Sequence, residues 1–133
     1  MNIVKLSHDQ PMPVTIFQIE GAIDVQSADD LVREATAAFG AGSRNMLLDM
    51  DKVTFLSSSG LRAIHQIFTM LRDETPEDAD AAVFGGISAG TYKSPHLKLL
   101  KPSSDVQNVL KMSGFDMFLD IYQDHGQALA SFQ

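Results

Sequence analysis

Hydrophobic residues along the chain follow two spacings, and each change of spacing marks the boundary of a predicted element. Residues 14–20 are rich in β-branched side chains and predict a strand, with a shorter strand over residues 3–6 before it. Residues 45–50 are nearly all apolar, which is typical of a central strand covered on both faces. Residues 97–100 and 118–122 predict two further strands. The pattern therefore predicts a sheet of about four to five strands.

Apolar residues recur at helical spacing between these strands. We expect Gly21 to end a strand, residues 22–25 to form a loop, and a helix to follow with Ser27 as its N-cap and Asp30 at its third position. This helix should end near Gly40, and its apolar face comprises Ala28, Leu31, Val32, Ala35 and Phe39.

Three further helical segments follow the first. A helical pattern starts at Leu61, and its apolar stripe continues with Ile64, Phe68 and Leu71. Another helix begins around residues 102–104, and a last helical turn or two covers residues 127–132. Strands that alternate with helices in this way predict an α/β fold in which the helices pack against the sheet.

Residues 73–95 interrupt this alternation. Five acidic residues lie between Asp73 and Asp80, and Thr75 and Pro76 have the positions expected of a helix start. Glycines at 85, 86 and 90 would end that helix. We interpret the segment as an insertion, a short helix with a flexible loop, within one domain that spans residues 1–133.

The composition narrows the classes of partner. The 133 residues carry a net charge of −7, which argues against nucleic acid as the main partner and against docking on an anionic membrane. The chain has no cysteine, and its four histidines show no metal-binding spacing. The sequence contains neither an apolar leader nor a run long enough to span a bilayer. We expect a cytoplasmic protein that inserts into no membrane and needs no cofactor or metal.

The most informative segment is residues 46–71, where an apolar strand breaks into a row of serines before a helix. Ser57, Ser58, Ser59 and Gly60 occupy the break. Hydroxyls in the first turn of a helix lie beside the partial positive charge of the helix N-terminus, which tolerates a phosphate. The simpler interpretation is that Ser58 is an ordinary N-cap, worth about 1 kcal/mol.

Four segments together resemble the STAS domain family of bacterial anti-sigma factor antagonists. The serine row with Leu61 is similar to the family motif D-S-[ST]-G-L, although Ser57 replaces the aspartate. The other three are the G-x-x-D loop at residues 21–24, the strand and turn at residues 47–56, and residues 97–115, which are similar to N-P-S-x-x-V-x-x-x-L-x-x-x-G. The resemblance implies a mixed sheet of about four to five strands, with helices packed mainly on one face.

The resemblance also implies a function in transcription regulation by partner switching, without enzymatic activity. An anti-sigma factor that is also a serine kinase would bind the chain and phosphorylate Ser58, and a phosphatase would reverse the modification. A homodimer is left open. The partner-binding surface implied for this sequence consists of Asp24, Ser57, Ser58, Ser59, Gly60 and Arg62.

Other interpretations stay open at this point. A STAS domain that is not phosphorylated could serve as a scaffold or interaction module in a signalling complex. A small STAS protein could also bind a nucleotide or a lipid, which a deep pocket lined by apolar residues would favour. Asp24 in turn could be a loop aspartate that only satisfies backbone donors.

Overall fold

A computed structural model describes residues 2–8, 13–73 and 94–132, without the side chains of residues 2 and 73. Most of the predicted insertion, residues 74–93, lies outside the described residues, so its helix and loop stay predictions. The elements in chain order are β1 (Asn2–His8), β2 (Val14–Ile23), α1 (Val25–Gly40), β3 (Met46–Leu56), α2 (Ser58–Asp73), β4 (Leu97–Leu100), α3 (Ser104–Met112), a 3-10 helix (Phe115–Met117), β5 (Asp120–Tyr122) and α4 (His125–Ala130).

Within the described part of the chain, five strands form one mixed sheet in the order β1-β2-β3-β4-β5. β1 is antiparallel to β2, and the pairs β2–β3, β3–β4 and β4–β5 are parallel. Parallel neighbours require a crossover connection, which α1 supplies between β2 and β3. The predicted α/β class and the predicted number of strands are therefore confirmed.

The larger apolar core lies between one face of the sheet and helices α1, α2 and α3. Met46, Leu48 and Met50 of β3 belong to this core, and Leu47 belongs to a smaller core on the opposite face. All four side chains are fully buried, as the apolar run predicted for a central strand. The smaller core contains residues of α4, so three helices cover one face of the sheet and one short helix covers part of the other.

The start of α1 differs from the prediction. Its N-cap is Asp24, and Ser27 occupies the third helical position, where its hydroxyl accepts a hydrogen bond from the Asp24 backbone N–H at 2.8 Å. Asp30, predicted at that third position, instead pairs with Arg33 at 2.9 Å on the helix surface. The predicted N-cap was wrong by three residues because serine and aspartate suit either end of a capping box.

β2 continues past Gly21 to Ile23, so the predicted loop over residues 22–25 is wrong. Gly21 has a φ of 100°, and the register with β3 shifts on both sides of it. These irregularities let the strand extend by bending instead of ending. β3 likewise continues beyond residue 50 to Leu56, and the two strands end side by side.

Other element boundaries differ from the predicted ones by a few residues. α2 begins at Ser58 instead of Leu61, and α4 begins at His125 instead of residue 127. The strand predicted over residues 118–122 is confined to Asp120–Tyr122 and follows the 3-10 helix. α3 has Ser103 as its N-cap, close to the predicted start.

Candidate functional site

The serine row lies at the edge of the sheet where two parallel strands end together. Ile23, the last residue of β2, pairs with Leu56, the last residue of β3. The backbone N–H of Ser57 donates to the Ile23 carbonyl at 3.0 Å. Because α1 and α2 follow these strands, both helices begin at this edge. Carboxyl ends of parallel strands are the usual position of a binding site in α/β folds.

Ser57 acts as the N-cap of α2. Its hydroxyl accepts a hydrogen bond from the Gly60 backbone N–H at 3.1 Å, and its carbonyl accepts the first helical bond from Leu61 at 3.0 Å. The same hydroxyl donates to the Ile23 carbonyl at 2.7 Å. The interpretation of Ser58 as the N-cap is therefore wrong, because the residue before it has that role.

Ser58 is the first residue of α2, and its side chain is exposed. Among the described residues, none forms a hydrogen bond with its hydroxyl. Ser59 is half-buried, and its hydroxyl accepts a hydrogen bond from Nη2 of Arg62 at 3.2 Å. Arg62 itself is exposed one turn along the helix. Of the three serines, Ser58 is the one whose hydroxyl is presented to solvent without a structural contact.

Gly60 is buried between the ends of the two strands. A Cβ atom at this position would lie 2.6 Å from Cδ1 of Leu56 and 2.9 Å from Cγ2 of Ile23. The close approach of α2 to the chain's own core therefore explains the glycine. The predicted contact of Gly60 with a partner is not needed for that explanation and stays a prediction.

Asp24 lies beside the serine row as the N-cap of α1. Its Oδ1 atom accepts hydrogen bonds from the backbone N–H of Gln26 at 3.1 Å, from that of Ser27 at 3.0 Å and from the Ser27 hydroxyl at 3.0 Å. The Ser27 backbone bond, followed by the Ser27 hydroxyl, lowers the pKa of Asp24. The expectation that Asp24 satisfies backbone donors is confirmed, and its exposed carboxylate stays charged beside Ser57. Contact with a partner remains a prediction.

An open groove of about 470 Å³ runs from the serine row between α1 and α2. Its lining residues are Val25, Ala28, Asp29, Val32, Ser59, Arg62, Ala63, His65 and Gln66. Two exposed apolar side chains lie at the same end of the molecule, Val25 at 69% exposure and Phe55 at 56% exposure. The hydrophobic pattern of the sequence predicts neither of them as exposed. Val25 lies in the segment predicted to be a loop, and nothing in the sequence distinguishes Phe55 from a buried strand residue.

The described residues contain neither a candidate metal site nor a candidate membrane-spanning helix. Over residues 2–8, 13–73 and 94–132, no three His, Asp or Glu side chains are grouped so that they could hold a metal ion. In that same part of the chain, no helix has both the length and the apolar composition to cross a bilayer.

The chain is similar to a known protein family over the segment that contains these features. The family model described as STAS domain matches residues 5–75, more than half of the chain. The chain belongs to the STAS domain family. The matched segment of this STAS protein includes the ends of β2 and β3 and the starts of α1 and α2, which together form the candidate site. The resemblance drawn from the sequence motifs is therefore confirmed.

Relatives of this STAS protein are named as anti-sigma factor antagonists. The "Putative anti-sigma factor antagonist BtrV" of Bordetella bronchiseptica is 24% identical over 130 residues, which cover 98% of this chain and 96% of that protein. An anti-sigma factor antagonist from Mycobacterium paratuberculosis has a solved structure with a TM-score of 0.71 and 19% identity, covering 98% of this chain and 94% of that one.

A third relative is known in two states. The Bacillus cell fate determinant SpoIIAA in its phosphorylated form has a TM-score of 0.62 and 15% identity, covering 98% of this chain and all of that one. Its unphosphorylated form has also been solved. At these identities the structural likeness establishes the fold, a mixed sheet with helices mainly on one face.

Proposed function

We propose that this STAS protein is an anti-sigma factor antagonist-like regulator, which binds an anti-sigma factor with serine kinase activity and is switched by phosphorylation of Ser58. The observation that carries the proposal is the state of Ser58, which is exposed at the first position of α2 while Ser57 caps the helix. A hydroxyl without a structural contact can be modified without removing the cap of α2. The names of the relatives, one of them solved in both phosphorylation states, support the class of function.

The proposed partner-binding surface combines charged and apolar side chains. Asp24, the N-cap of α1, and Arg62, which contacts Ser59, supply charges of opposite sign. Val25 and Phe55 supply exposed apolar area, which a partner would cover. Ser57 and Gly60 set the shape of the surface by fixing the start of α2 against Ile23.

Phosphorylation would change this surface more than it changes the fold. A phosphate adds roughly 1.5 to 2 negative charges at pH 7. The N-terminus of α2 tolerates an anion, so the helix stays folded. A partner that covers Val25 and Phe55 would, however, have to remove water from the phosphate beside Asp24, which is costly without a matching cation. We therefore infer that the modified form releases its partner and that a phosphatase in the same bacterial cytoplasm restores binding.

The experiment uses the full chain and the purified serine-kinase anti-sigma factors of its native host, incubated with ATP. We expect the wild type to gain about 80 Da by intact-mass analysis and the Ser58→Ala variant to gain no mass. In a binding assay without ATP, Ser58→Ala should bind the anti-sigma factor as tightly as the wild type does. Ser58→Asp should bind at least about tenfold more weakly, since a charge is then desolvated at the interface.

Ser104→Ala is the matched control, because Ser104 is also an exposed serine at the first position of a helix, directly after the N-cap Ser103 of α3. It should behave as the wild type in both assays. If Ser58→Ala is still phosphorylated, Ser58 is not the sole acceptor, and the Ser57→Ala and Ser59→Ala variants show whether a neighbouring serine carries the phosphate. If Ser58→Asp binds the partner as tightly as the wild type does, and the wild type gains no phosphate, the protein is a non-switching interaction module and the proposal is wrong.

A further inference from the structure

The Arg62 side chain turns back toward the start of α2. Its Nη2 atom donates to the Ser59 hydroxyl at 3.2 Å. Helical side chains lean toward the N-terminus, and residues four apart lie on the same face, about 5–6 Å between their Cβ atoms. Ser58 lies four residues before Arg62. Ser58 and Arg62 therefore share one face of α2, one turn apart.

The surroundings of Arg62 contain carboxylates that would repel a phosphate. Asp29 of α1 lines the same groove, and Asp24 caps α1 beside the serine row. His65 is the other titratable residue of α2 that lines the groove. A phosphate on Ser58 would add charge of the same sign as these carboxylates, in a chain whose net charge is already −7. Arg62 is the permanently charged cation among the residues that line the groove.

A guanidinium group is well suited to bind a phosphate. It carries five N–H donors in a planar fork that matches the oxygen atoms of a phosphate. Within the described part of the chain, the one hydrogen bond of the exposed Arg62 is its solvent-exposed bond to the hydroxyl of half-buried Ser59. Such a bond is weak, so a charged phosphate can replace the Ser59 hydroxyl at little cost.

We propose that Arg62 is the intramolecular ligand of a phosphate on Ser58: after modification its guanidinium leaves the Ser59 hydroxyl and binds the phosphate oxygens. This inference rests on the proposed function, since it assumes that Ser58 carries the phosphate. Two consequences follow. The bound arginine favours the doubly charged phosphate, and it removes the Arg62 cation from the surface that the unmodified protein offers to its partner.

The test places phosphoserine at position 58 of the full chain by genetic encoding, so that no kinase is required. The second ionisation of the phosphate, with an ordinary pKa of about 6, is followed by ³¹P NMR. We expect Arg62→Gln to lower the acid dissociation constant of the phosphate about three- to tenfold relative to the Arg62 protein, and Arg62→Lys to give an intermediate value. Asp29→Asn should change the constant in the opposite direction.

Arg72→Gln is the matched control, because it removes the same charge from the last turn of the same helix. If Arg72→Gln and Arg62→Gln change the constant equally, the effect is one of net charge and the proposed contact is overturned. The proposed function is tested by different measurements, the kinase and partner-binding assays. A chain that no host kinase modifies, and whose Ser58→Asp variant binds normally, refutes the switch, whereas the NMR comparison alone decides whether Arg62 binds the phosphate.

Discussion

Ser57 fixes the start of α2 because its hydroxyl both accepts and donates a hydrogen bond. The oxygen accepts from the Gly60 N–H, as the side chain of any good N-cap does, and the proton goes to the Ile23 carbonyl. An ionised aspartate, the residue that the motif D-S-[ST]-G-L has at this position, could accept the first bond but could not donate the second. The serine therefore keeps the cap and adds a link between α2 and the end of β2.

Ser57→Ala should lower the free energy of unfolding by about 1–2 kcal/mol, because it removes the cap and leaves the Gly60 N–H without its acceptor. Ser57→Asp should cost less, since it retains the acceptor. Ser59→Ala, which loses one weak bond with exposed Arg62, is the control and should stay within about 0.5 kcal/mol of the wild type. Urea denaturation followed by circular dichroism measures all three. Equal stability of Ser57→Ala and Ser59→Ala would mean that Ser57 does not cap α2.

At the scale of elements, the hydrophobic pattern predicted which segments are helices and strands better than it predicted where they begin. Buried apolar residues at helical spacing identified α1 and α2, because burial decides that pattern directly. The N-caps were misassigned because several neighbouring residues have capping side chains: Asp24 and Ser27 at α1, Ser57 and Ser58 at α2. The bond of the Gly60 N–H to the Ser57 hydroxyl identifies Ser57 as the cap, and the contact of Ser57 with Ile23, distant in the sequence, fixes it there.

The contact of α2 with the strand ends leads to a second prediction. Gly60→Ala should destabilise the protein by about 1–3 kcal/mol, because the new methyl group would overlap the side chains of Leu56 and Ile23. Gly40→Ala is the matched control at the end of α1, where, outside the local helix backbone, no atom of the described residues lies within 4 Å of the added Cβ, and it should be neutral or slightly stabilising. Thermal unfolding of both variants measures the difference. A Gly60→Ala protein as stable as the Gly40→Ala protein would contradict the close packing of α2.

At the scale of the whole molecule, the strand order brings together residues that are distant in the sequence. The parallel pairing of β2 with β3 places the start of α1 beside the serine row, so Asp24 and Ser57 share one edge. The sequence motifs led to these residues through the family resemblance. Val25 and Phe55 could not be predicted in the same way, because whether an apolar side chain is covered depends on how the helices lie across the sheet.

A buried lysine contacts the C-terminal residues that pack on the opposite face of the sheet. Lys98 of β4 is 5% exposed, its Nζ donates to the Ser131 carbonyl at 2.9 Å, and the Phe132 ring centre lies 5.0 Å from that Nζ. Lys98 thereby holds the residues that follow α4 against the smaller core. Burial lowers the pKa of Lys98 from 10.5, and the charge of Asp120 opposes this only in part.

The titration of Lys98 therefore affects the stability of the whole molecule. Between its lowered folded-state pKa and 10.5, the unfolded chain binds more protons than the folded one, so this residue makes stability increase as the pH rises through that window. Lys98→Met should remove the increase while filling a similar volume. Lys111→Met, on the exposed surface of α3, is the control and should keep the wild-type slope. Urea unfolding at a series of pH values up to about 10.5 compares the three proteins. If the slopes of Lys98→Met and Lys111→Met are the same, burial does not lower the pKa of Lys98 in the folded protein.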